Sequence, residues 1–475
     1  MVAQLHQTKM VCTLGPASDT PEMIGKLIDA GMDVARMNFS HGSHEDHARR
    51  IQTVRSAALE RGKVVAILQD LQGPKIRTGQ LKDGGMTISV GQQLTLRFGS
   101  TQESDELPID YAHLANDVAI GARILLDDGL LAMKVIDKKG TDVVVEVTFG
   151  GFLKSRKGVN FPDSRLSIPA TTEKDIRDLF FGISQNVDFV ALSFVQSAED
   201  IVELKKRMKS FGGDIPVVAK IEMKLAIENL DAICDVTDAI MVARGDLGVE
   251  CGFSNVASYQ KQIIATSKRH GKPVIVATQM LDSMQENSTP TKAEVMDVAN
   301  AVLDGADATM LSGESASGKY PVLAVSTMRD LTMRADAHSK NSYIGVFRGE
   351  AKAIQDVAAH AAVEMAERSK AVAIICLSMT GSTARQIASY NPRTPIIALS
   401  PRPEVVRRLA LVRGVHPILN TEFFSTDKAI MNVIPQLMQK GVLHQGDLVV
   451  LTAGTPLAAM KQTNLVNLFH VTNPL

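Results

Sequence analysis

The chain of 475 residues is long enough for about three domains of ordinary size. Hydrophobic residues make up 45% and charged residues 22%, which excludes a disordered or fibrous chain. Because 51 Lys and Arg residues balance 52 Asp and Glu residues, no overall field attracts nucleic acid or anionic lipid, and we expect neither as a partner.

Cysteine spacing and the amino-terminal segment indicate a cytoplasmic protein. The four cysteines are far apart and form no C-x-x-C pair, which argues against a disulfide framework or a zinc site and favours a reducing compartment. No apolar run approaches the ~20 residues of a membrane span. The first 15 residues lack the basic and apolar regions of a signal peptide.

Short runs rich in Val, Ile and Ala recur without polar alternation, which is typical of parallel strands covered on both faces. They are residues 9–15, 32–39, 64–71, 187–194, 217–222, 239–244, 273–278 and 308–313. The stretches between them are amphipathic, and the first has Thr20 and Pro21 at its start and Gly31 at its end, which predicts a capped helix. Eight such strand–helix units predict a (β/α)8 TIM barrel.

Two further units interrupt or follow the barrel pattern. The interval between the third and fourth strands alternates with period two and carries DGG, DDG and KKG turn signals, which predicts an inserted antiparallel β domain. After about residue 345, five strand patterns alternate with helices and predict an open α/β domain. The predicted boundaries are 1–70 and 171–345 for the barrel, 71–170 for the inserted domain and 346–475 for the C-terminal domain.

Charged residues follow the predicted strands at their carboxyl ends, where barrel enzymes place catalysis. Lys220 and Glu222 are two residues apart, so their side chains share one face of the strand. Glu222 and Asp246 follow neighbouring strands and could bind one divalent cation, because Mg²⁺ takes one or two carboxylates together with water and substrate oxygens. A buried Lys–Glu ion pair without metal is the alternative.

Four cations are predicted to gather at the same end of the barrel: Arg36, Lys75, Arg77 and Lys220. Together with Mg²⁺ they suit a small, highly charged anion such as a phosphorylated carboxylate, and they suit phosphoryl transfer. For Arg77 alone, an ordinary surface charge is the simpler interpretation.

Three other residues at the strand ends could have structural roles rather than catalytic ones. Thr278 could bond a strand-end carbonyl, the segment around Ser312 could be a capping turn, and His41 could be a cap or surface residue. The remaining histidines lack metal-ligand spacing, and no P-loop or G-x-G-x-x-G motif follows a strand.

Several long motifs resemble the pyruvate kinase family. They are TKMVCTLGPAS, ARMNFSHGSHEDH, ILQDLQGPKIRTG, KGVNFP, VAKIE, IMVARGDLGVE, VIVATQMLDSM and PTKAEVMDVANAVLDGADATMLSGESASGKYP. The similarity runs through nearly the whole chain in order and is weaker towards the C-terminus. It implies a barrel with an inserted β-barrel-like lid domain, a C-terminal regulatory domain and a homotetramer. It also implies transfer of a phosphoryl group from phosphoenolpyruvate to ADP, giving pyruvate and ATP in the last step of glycolysis.

The resemblance assigns roles to the strand-end residues. Arg36 would contact the substrate phosphate, Lys220 would stabilise the migrating phosphoryl group, and Glu222 with Asp246 would bind Mg²⁺. Backbone amides around Gly245 and Asp246 would hold the substrate carboxylate. The further substrate residues are Thr278, where the enolate is protonated, Ser312 and Glu314. The residues near the nucleotide phosphates, where a second Mg²⁺ would arrive with ADP, are Asn38, Ser40, His41, Arg77 and Lys157.

The chain departs from the family at the monovalent-cation site. Many members bind K⁺ through residues that match Asn38, Ser40, Asp70 and the following position. Here the following position is Leu71, which has no hydroxyl ligand, and Lys75 stands where those members carry Glu. We expect the ammonium of Lys75 to replace K⁺ and the protein to be active without it.

A second departure concerns regulation. A hydroxyl-rich turn before a helix suits a phosphate, as in the family's sugar-phosphate effector pocket, although an N-cap cluster is an equal alternative. Its residues are Ser378, Thr380, Gly381, Ser382 and Thr383. The family's second effector loop is Gly-rich but reads PLAAMKQTN here, so we do not expect activation by fructose bisphosphate. Another phosphorylated effector, or none, remains open.

Two other functions fit parts of the pattern. Another Mg²⁺-dependent barrel enzyme that acts on phosphoenolpyruvate or a pyruvate enolate, such as a lyase or mutase, is disfavoured by the nucleotide-side residues and the inserted domain. A non-catalytic metabolite sensor would be expected to have lost Lys220, Glu222 or Asp246, and all three are present.

Overall fold

The computed structural model describes residues 6–99, 101–102, 106–338, 354–420, 426–454 and 463–471. The chain begins with strands β1 (Lys9–Leu14), β2 (Val34–Asn38) and β3 (Ala66–Asp70) and helices α1 (Pro21–Ala30) and α2 (His44–Glu60). Every residue of β1 and β3 is buried, as expected for strands covered on both faces. The Thr20 hydroxyl accepts a hydrogen bond from the Met23 amide and Gly31 has φ 124°, which confirms the predicted start and end of α1.

The inserted domain follows β3. Its elements are β4 (Gly85–Ile88), β5 (Gln93–Phe98), β6 (Leu107–Ile109), α3 (Leu114–Asp117), β7 (Arg123–Leu126), β8 (Leu131–Lys139), β9 (Asp142–Phe149), β10 (Gly151–Lys154) and β11 (Val159–Asn160). Six strands form a sheet in the order β11-β7-β8-β9-β5-β6, and β4 pairs with β10. Bridges from Arg77 to Gly158 and from Thr78 to Ile109 connect the segment after β3 to both edges of the sheet.

One pair in this sheet departs from the predicted antiparallel arrangement. Strands β5 and β6 are parallel, with Leu96 opposite Leu107, whereas β7, β8 and β9 pair antiparallel as predicted. Period-two alternation shows which face of a strand is buried, but it carries no information on the direction of the neighbouring strand.

The barrel then resumes. Its elements are α4 (Glu173–Ser184), β12 (Phe189–Leu192), α5 (Ala198–Ser210), β13 (Val217–Ile221), α6 (Lys224–Glu228), α7 (Leu230–Val236), β14 (Ala239–Ala243), α8 (Arg244–Cys251), α9 (Val256–Arg269), β15 (Val274–Ala277), α10 (Lys292–Leu303), β16 (Ala308–Leu311), α11 (Gly313–Ala316) and α12 (Pro321–His338). Strands β1–β3 and β12–β16 close into one parallel barrel. Strand β3 pairs with β12 across the insertion, and each strand lies within its predicted run. The predicted barrel is confirmed.

The C-terminal elements form an open sheet. They are α13 (Ile354–Ser369), β17 (Ala373–Leu377), α14 (Ser382–Ser389), β18 (Ile396–Ser400), α15 (Pro403–Arg408), β19 (Val415–Leu419), α16 (Thr426–Gln439), β20 (Leu448–Ala453) and β21 (Leu465–His470). The strand order is β19-β18-β17-β20-β21, and β21 alone pairs antiparallel. The predicted fold class is confirmed, while the domain boundaries given above stay a prediction. In the part of the chain described, no helix is both long and apolar enough to cross a membrane.

Apolar and charged contacts fix the C-terminal domain against the barrel. Ala410 and Leu411 belong to the same apolar cluster as the barrel interior. Asp188, which is 1% exposed, accepts hydrogen bonds of 2.7 Å from Arg55 Nη2 and from Arg407 Nε, the latter on α15. Its carboxylate therefore connects two segments of the barrel with the C-terminal domain.

We expect Asp188→Ala to lower the free energy of unfolding by about 3 kcal/mol, because it leaves two guanidinium groups without their shared carboxylate. The measurement is the thermal unfolding midpoint. Asp29→Ala is the matched control, since it removes the pair between Arg61 and an Asp29 side chain that is 60% exposed, and such pairs contribute little. Equal midpoints for the two variants would contradict the role given to Asp188.

Candidate active site

The carboxyl ends of β2, β3 and β13 bring two cations together around Asp70. Arg36 Nε donates to Asp70 Oδ2 at 2.7 Å, and Lys220 Nζ lies 3.3 Å from Asp70 Oδ1. Arg36 Nη1 also donates to Thr13 Oγ1 at 2.9 Å. Burial would raise the pKa of Asp70, but the charges of Lys220 and Arg36 lower it below its ordinary value. One ionised carboxylate thus fixes two cations side by side, of which Arg36 is buried and Lys220 is 12% exposed.

Lys220 and Glu222 lie next to each other, as their spacing on β13 predicts. Lys220 Nζ is 2.9 Å from Glu222 Oε1 and donates to Ser193 Oγ at 2.7 Å. The Phe194 amide donates to Glu222 Oε2 at 2.9 Å. Burial alone would lower the pKa of Lys220, but the carboxylates of Asp70 and Glu222 raise it above its ordinary value. Lys220 therefore carries a positive charge at neutral pH.

Glu222 and Asp246 form the candidate metal pair. Asp246 lies in the first turn of α8, directly after β14. Burial raises the pKa of Glu222, Lys220 opposes that rise, and the charge of Asp246 adds to it. Two mutually repelling carboxylates are a donor set that a hard divalent cation suits. Among the residues described, no three His, Cys, Asp or Glu side chains gather as a metal-binding group, so water and substrate would complete the coordination.

The Gly245 amide, predicted to hold a substrate carboxylate, donates to Thr278 Oγ1 at 2.9 Å. Thr278 Oγ1 in turn donates to the carbonyl of Ala277 at 2.6 Å. Thr278 and Gln279 have φ values of 68° and 53°, which are strained for residues with side chains. Arg244 Nη2 donates to the Thr278 carbonyl at 2.6 Å and helps hold this turn. The turn after β15 and the start of α8 are thus joined through one hydroxyl.

Glu314 connects two strand ends. It is 1% exposed, and it accepts hydrogen bonds from the Ser312 amide at 2.7 Å and the Leu281 amide at 3.2 Å. Burial raises its pKa. These contacts indicate that Glu314 holds the segments after β15 and β16 together at the carboxyl end of the barrel.

The predicted nucleotide residues divide into two groups. At the end of β2, the Ser40 amide donates to Asn38 Oδ1 at 3.1 Å, and the His41 carbonyl accepts a hydrogen bond from His47 Nε2 at 2.9 Å. These contacts shape the turn that carries Asn38, Ser40 and His41. The other two residues lie in the inserted domain or at its base.

Arg77 and Lys157 are held near each other by the bridge between Arg77 and Gly158. Arg77 Nη1 donates to the carbonyl of Arg156 at 3.1 Å, and Lys157 Nζ lies 2.7 Å from Asp127 Oδ1. Both cations are therefore held by contacts with the inserted domain.

Lys75 contacts the candidate metal pair and the inserted domain. Its Nζ lies 3.6 Å from Asp246 Oδ1 and 4.0 Å from Asp128 Oδ1. Asp70, one of the predicted residues of the monovalent-cation site, is paired with Arg36 and Lys220. The carbonyl of Leu71, which is buried, accepts a hydrogen bond from Ser193 Oγ at 2.7 Å.

The predicted effector residues span the turn before α14 and the first two residues of that helix; they are Ser378, Thr380, Gly381, Ser382 and Thr383. Gly381 has φ 77°, and Thr380 Oγ1 donates to Ser382 Oγ at 3.0 Å. Thr383 Oγ1 and Thr463 Oγ1 are 2.5 Å apart. The PLAAMKQTN segment lies mostly outside the described residues.

Sequence analysis missed Glu250 and the hydroxyl partners of the two cations. Asn160 Nδ2 of β11 donates to Glu250 Oε1 of α8 at 2.8 Å, which joins the inserted domain to the barrel. Burial raises the pKa of Glu250 to about 7. Thr13 and Ser193 carry no sequence signal, because their contacts exist only once the barrel has closed.

Comparison with known proteins identifies the family. Family models described as pyruvate kinase, barrel domain, and pyruvate kinase, alpha/beta domain, match residues 5–325 and 356–469. The chain belongs to the pyruvate kinase family. Curated pyruvate kinases from Staphylococcus aureus strains MRSA252 and USA300 are each 43% identical over 98% of this chain and 81% of their own length. A crystal structure of a pyruvate kinase from Cryptosporidium parvum matches with a TM-score of 0.94 and 35% identity over 98% of this chain and 96% of that one. The predicted family and enzyme class are confirmed.

We expect Glu250→Gln to raise thermal stability more at pH 8 than at pH 6 in metal-free buffer. With a folded pKa of about 7, above the ordinary 4.5, folded Glu250 retains a proton that the unfolded chain has lost. Its contribution to the free energy of unfolding therefore falls as pH rises through 7, by about 1 kcal/mol between pH 6 and pH 8. The amide side chain of the variant would still accept the Asn160 hydrogen bond but would not titrate.

Glu294→Gln is the control for this experiment. Hydrogen bonds from Ser283 and Thr291 outweigh burial and lower the pKa of Glu294. Glu294 is ionised at both pH 6 and pH 8, so its contribution to the free energy of unfolding is the same at both. The difference in thermal midpoint between Glu294→Gln and the parent should therefore stay constant. If the difference in thermal midpoint between Glu250→Gln and the parent is also the same at pH 6 and pH 8, the raised pKa of Glu250 is contradicted.

Proposed function

We propose that the protein transfers the phosphoryl group of phosphoenolpyruvate to ADP, giving pyruvate and ATP. The observation that carries this proposal is the continuous buried contact from Arg36 through Asp70 and Lys220 to Glu222 at the barrel mouth. Phosphoryl transfer depends mainly on positioning and on stabilising charge at oxygen atoms. Two fixed cations beside two carboxylates supply both requirements.

Each residue of this group has a distinct role in the proposal. Arg36 would bind the phosphate of phosphoenolpyruvate, and Lys220 would stabilise the charge on the phosphoryl group as it moves. The charge of Asp70 helps to raise the pKa of Lys220, and its carboxylate holds both cations in fixed directions. Glu222 and Asp246 would hold Mg²⁺, and the bound ion supplies positive charge to the substrate oxygens.

The surrounding residues would orient substrate and nucleotide. Backbone amides at Gly245 and Asp246 would bind the substrate carboxylate, with the Thr278 hydroxyl giving up its hydrogen bond from Gly245. Thr278 would also orient the proton donor for the enolate, through ordered water. The residues proposed to contact the nucleotide phosphates are Asn38, Ser40, His41, Arg77 and Lys157. Movement of the inserted domain over the mouth would exclude water from the phosphoryl group.

Four finer assignments complete the proposal. The reaction would proceed without K⁺ because Lys75 supplies a fixed charge, and the turn from Ser378 to Thr383 would take a phosphorylated effector. The family relationship supports a homotetramer and a place in cytoplasmic glycolysis.

We expect Lys220→Met to bind phosphoenolpyruvate but to lose turnover by about 10³-fold, because the charge on the moving phosphoryl group loses its nearest ammonium. Turnover is measured through pyruvate formation coupled to lactate dehydrogenase, and a thermal unfolding midpoint checks the fold. Lys63→Met is the control, since Lys63 is an exposed lysine away from the mouth. Retained turnover in Lys220→Met would remove the role assigned to this lysine.

We expect full turnover in a K⁺-free tetramethylammonium buffer. The ammonium of Lys75, 3.6 Å from Asp246 Oδ1, provides the positive charge that K⁺ would otherwise supply. Lys75→Met should lose most of this K⁺-free turnover. Near-zero turnover of the unmodified protein, restored by adding K⁺, would refute the replacement of K⁺ by Lys75.

A further inference from the structure

Ser193 is the first residue after β12, and it lies beside Lys220 at the carboxyl end of the barrel. It is 2% exposed, and its Oγ accepts a hydrogen bond from Lys220 Nζ at 2.7 Å. The same Oγ donates to the carbonyl of Leu71 at 2.7 Å. A serine hydroxyl carries one hydrogen, which here points to Leu71, so towards Lys220 the oxygen acts as an acceptor only. Ser193 therefore joins the end of β3 to the lysine proposed to stabilise the phosphoryl group.

Three oxygen atoms from three side chains surround the Lys220 ammonium. They are Ser193 Oγ at 2.7 Å, Glu222 Oε1 at 2.9 Å and Asp70 Oδ1 at 3.3 Å. An ammonium has three N–H groups, so these three oxygens match its whole donor capacity. A phosphoryl oxygen that approaches Lys220 must therefore take an N–H group from one of the three partners.

Of the three partners, Ser193 is the least costly for Lys220 to release. Asp70 and Glu222 are carboxylates, and an ammonium is attracted more strongly to a carboxylate than to a neutral oxygen. The Ser193 hydroxyl is neutral. After it releases Lys220, its own hydrogen would remain bonded to the Leu71 carbonyl, so no buried donor would be left without an acceptor. The contact with Ser193 is therefore the one that substrate would replace.

The turn that begins at Ser193 also contacts the candidate metal pair. The amide of the next residue, Phe194, donates to Glu222 Oε2 at 2.9 Å, and Phe194 has φ 55°, which is strained for a residue with a large side chain. A Cβ atom at Gly73 would lie 2.7 Å from the Phe194 ring and 3.0 Å from Ser193 Cβ, so a glycine is needed for the segment after β3 to pack against this turn. Two consecutive residues of one strained turn thus hold Lys220 and Glu222.

We propose that Ser193 is a positioning residue for phosphoryl transfer. Its hydroxyl fixes the Lys220 ammonium before substrate binds, and one N–H group then turns from Ser193 to an oxygen of the phosphoryl group. Only this hydrogen bond is exchanged, and every proton stays on its own heavy atom. The inference rests on the proposed function, because it gives Ser193 a role in that reaction.

A purely structural role for Ser193 is the alternative, because its bond to Leu71 extends the pairing of β3 with β12. The Leu71 amide donates to the carbonyl of Ala191 at 3.0 Å, and Ser193 adds a side-chain bond to the carbonyl of the same Leu71. Loss of that bond alone would lower stability without acting through Lys220. The two roles therefore differ in whether the effect of Ser193 on turnover depends on Lys220.

We expect Ser193→Ala to lower kcat for pyruvate formation by about tenfold, as for loss of one hydrogen bond to a charged group. KM for phosphoenolpyruvate should change by less than about twofold, because the lost contact serves the moving phosphoryl group rather than the bound substrate. Ser193→Cys should lose a similar factor, since a thiol fills the space that alanine leaves but accepts hydrogen bonds weakly. Thermal unfolding midpoints verify that both variants fold.

A double-mutant cycle with Lys220 separates positioning from structure. Adding Ser193→Ala to Lys220→Met should lower the residual turnover by less than about twofold, because the ammonium that Ser193 holds is already absent. Ser267→Ala is the matched control and should keep the turnover of the parent. Ser267 is also buried and donates to a backbone carbonyl, that of Ile263, at 2.7 Å, but it lies on α9 near the amino end of β15.

Three results would overturn the proposal. The first is a Ser193→Ala variant with the kcat of the parent. The second is recovery of the parent kcat in Ser193→Cys, which would show that side-chain volume alone matters. The third is a tenfold loss that persists in the Lys220→Met background, which would show that Ser193 does not act through the lysine. All three are measured against an active parent, whereas a parent that forms no pyruvate would contradict the proposed function and this inference with it.

Discussion

The proposed active site depends on the contacts that the carboxylate of Asp70 makes with Arg36 and Lys220. Arg36 and Lys220 are both positively charged and largely shielded from solvent, and they lie close together because Asp70 contacts both. Asp70 is adjacent to β2 in the barrel register, opposite Asn38, whereas Lys220 comes from β13 beyond β12. The contact of Asp70 with both cations therefore requires a closed barrel. The barrel in turn fixes the orientation of the Arg36 and Lys220 side chains, which flexible surface side chains would lack.

The inserted domain is coupled to this centre through polar contacts. Asn160 donates to Glu250 on α8, and Lys75 lies between Asp246 and Asp128 of the inserted domain. Both contacts involve groups beside the candidate metal pair. A change of charge at the mouth, through metal, substrate or protons, would alter the contacts that hold the inserted domain. These contacts would give the proposed closure of the inserted domain a physical connection to substrate binding.

Much of the architecture could be predicted from sequence because it depends on local patterns. Unbroken apolar runs identified the eight barrel strands, and the two-residue spacing of Lys220 and Glu222 placed them on one face. The parallel pairing of β5 and β6 could not be predicted, because alternation carries no strand direction. The contacts of Thr13, Ser193 and Glu250 join residues distant in sequence, and isolated hydroxyls give no periodic signal.

The central claim is that Asp70 acts by positioning the cations it contacts, and a double-mutant cycle between Asp70 and Arg36 tests it most directly. The measured quantity is kcat/KM for phosphoenolpyruvate in the parent, Asp70→Asn, Arg36→Met and the double variant, with thermal midpoints to verify folding. If Asp70 works through Arg36, adding Asp70→Asn to Arg36→Met should cost much less than it costs the parent. Fully additive losses would show that the two residues act independently and would contradict the account.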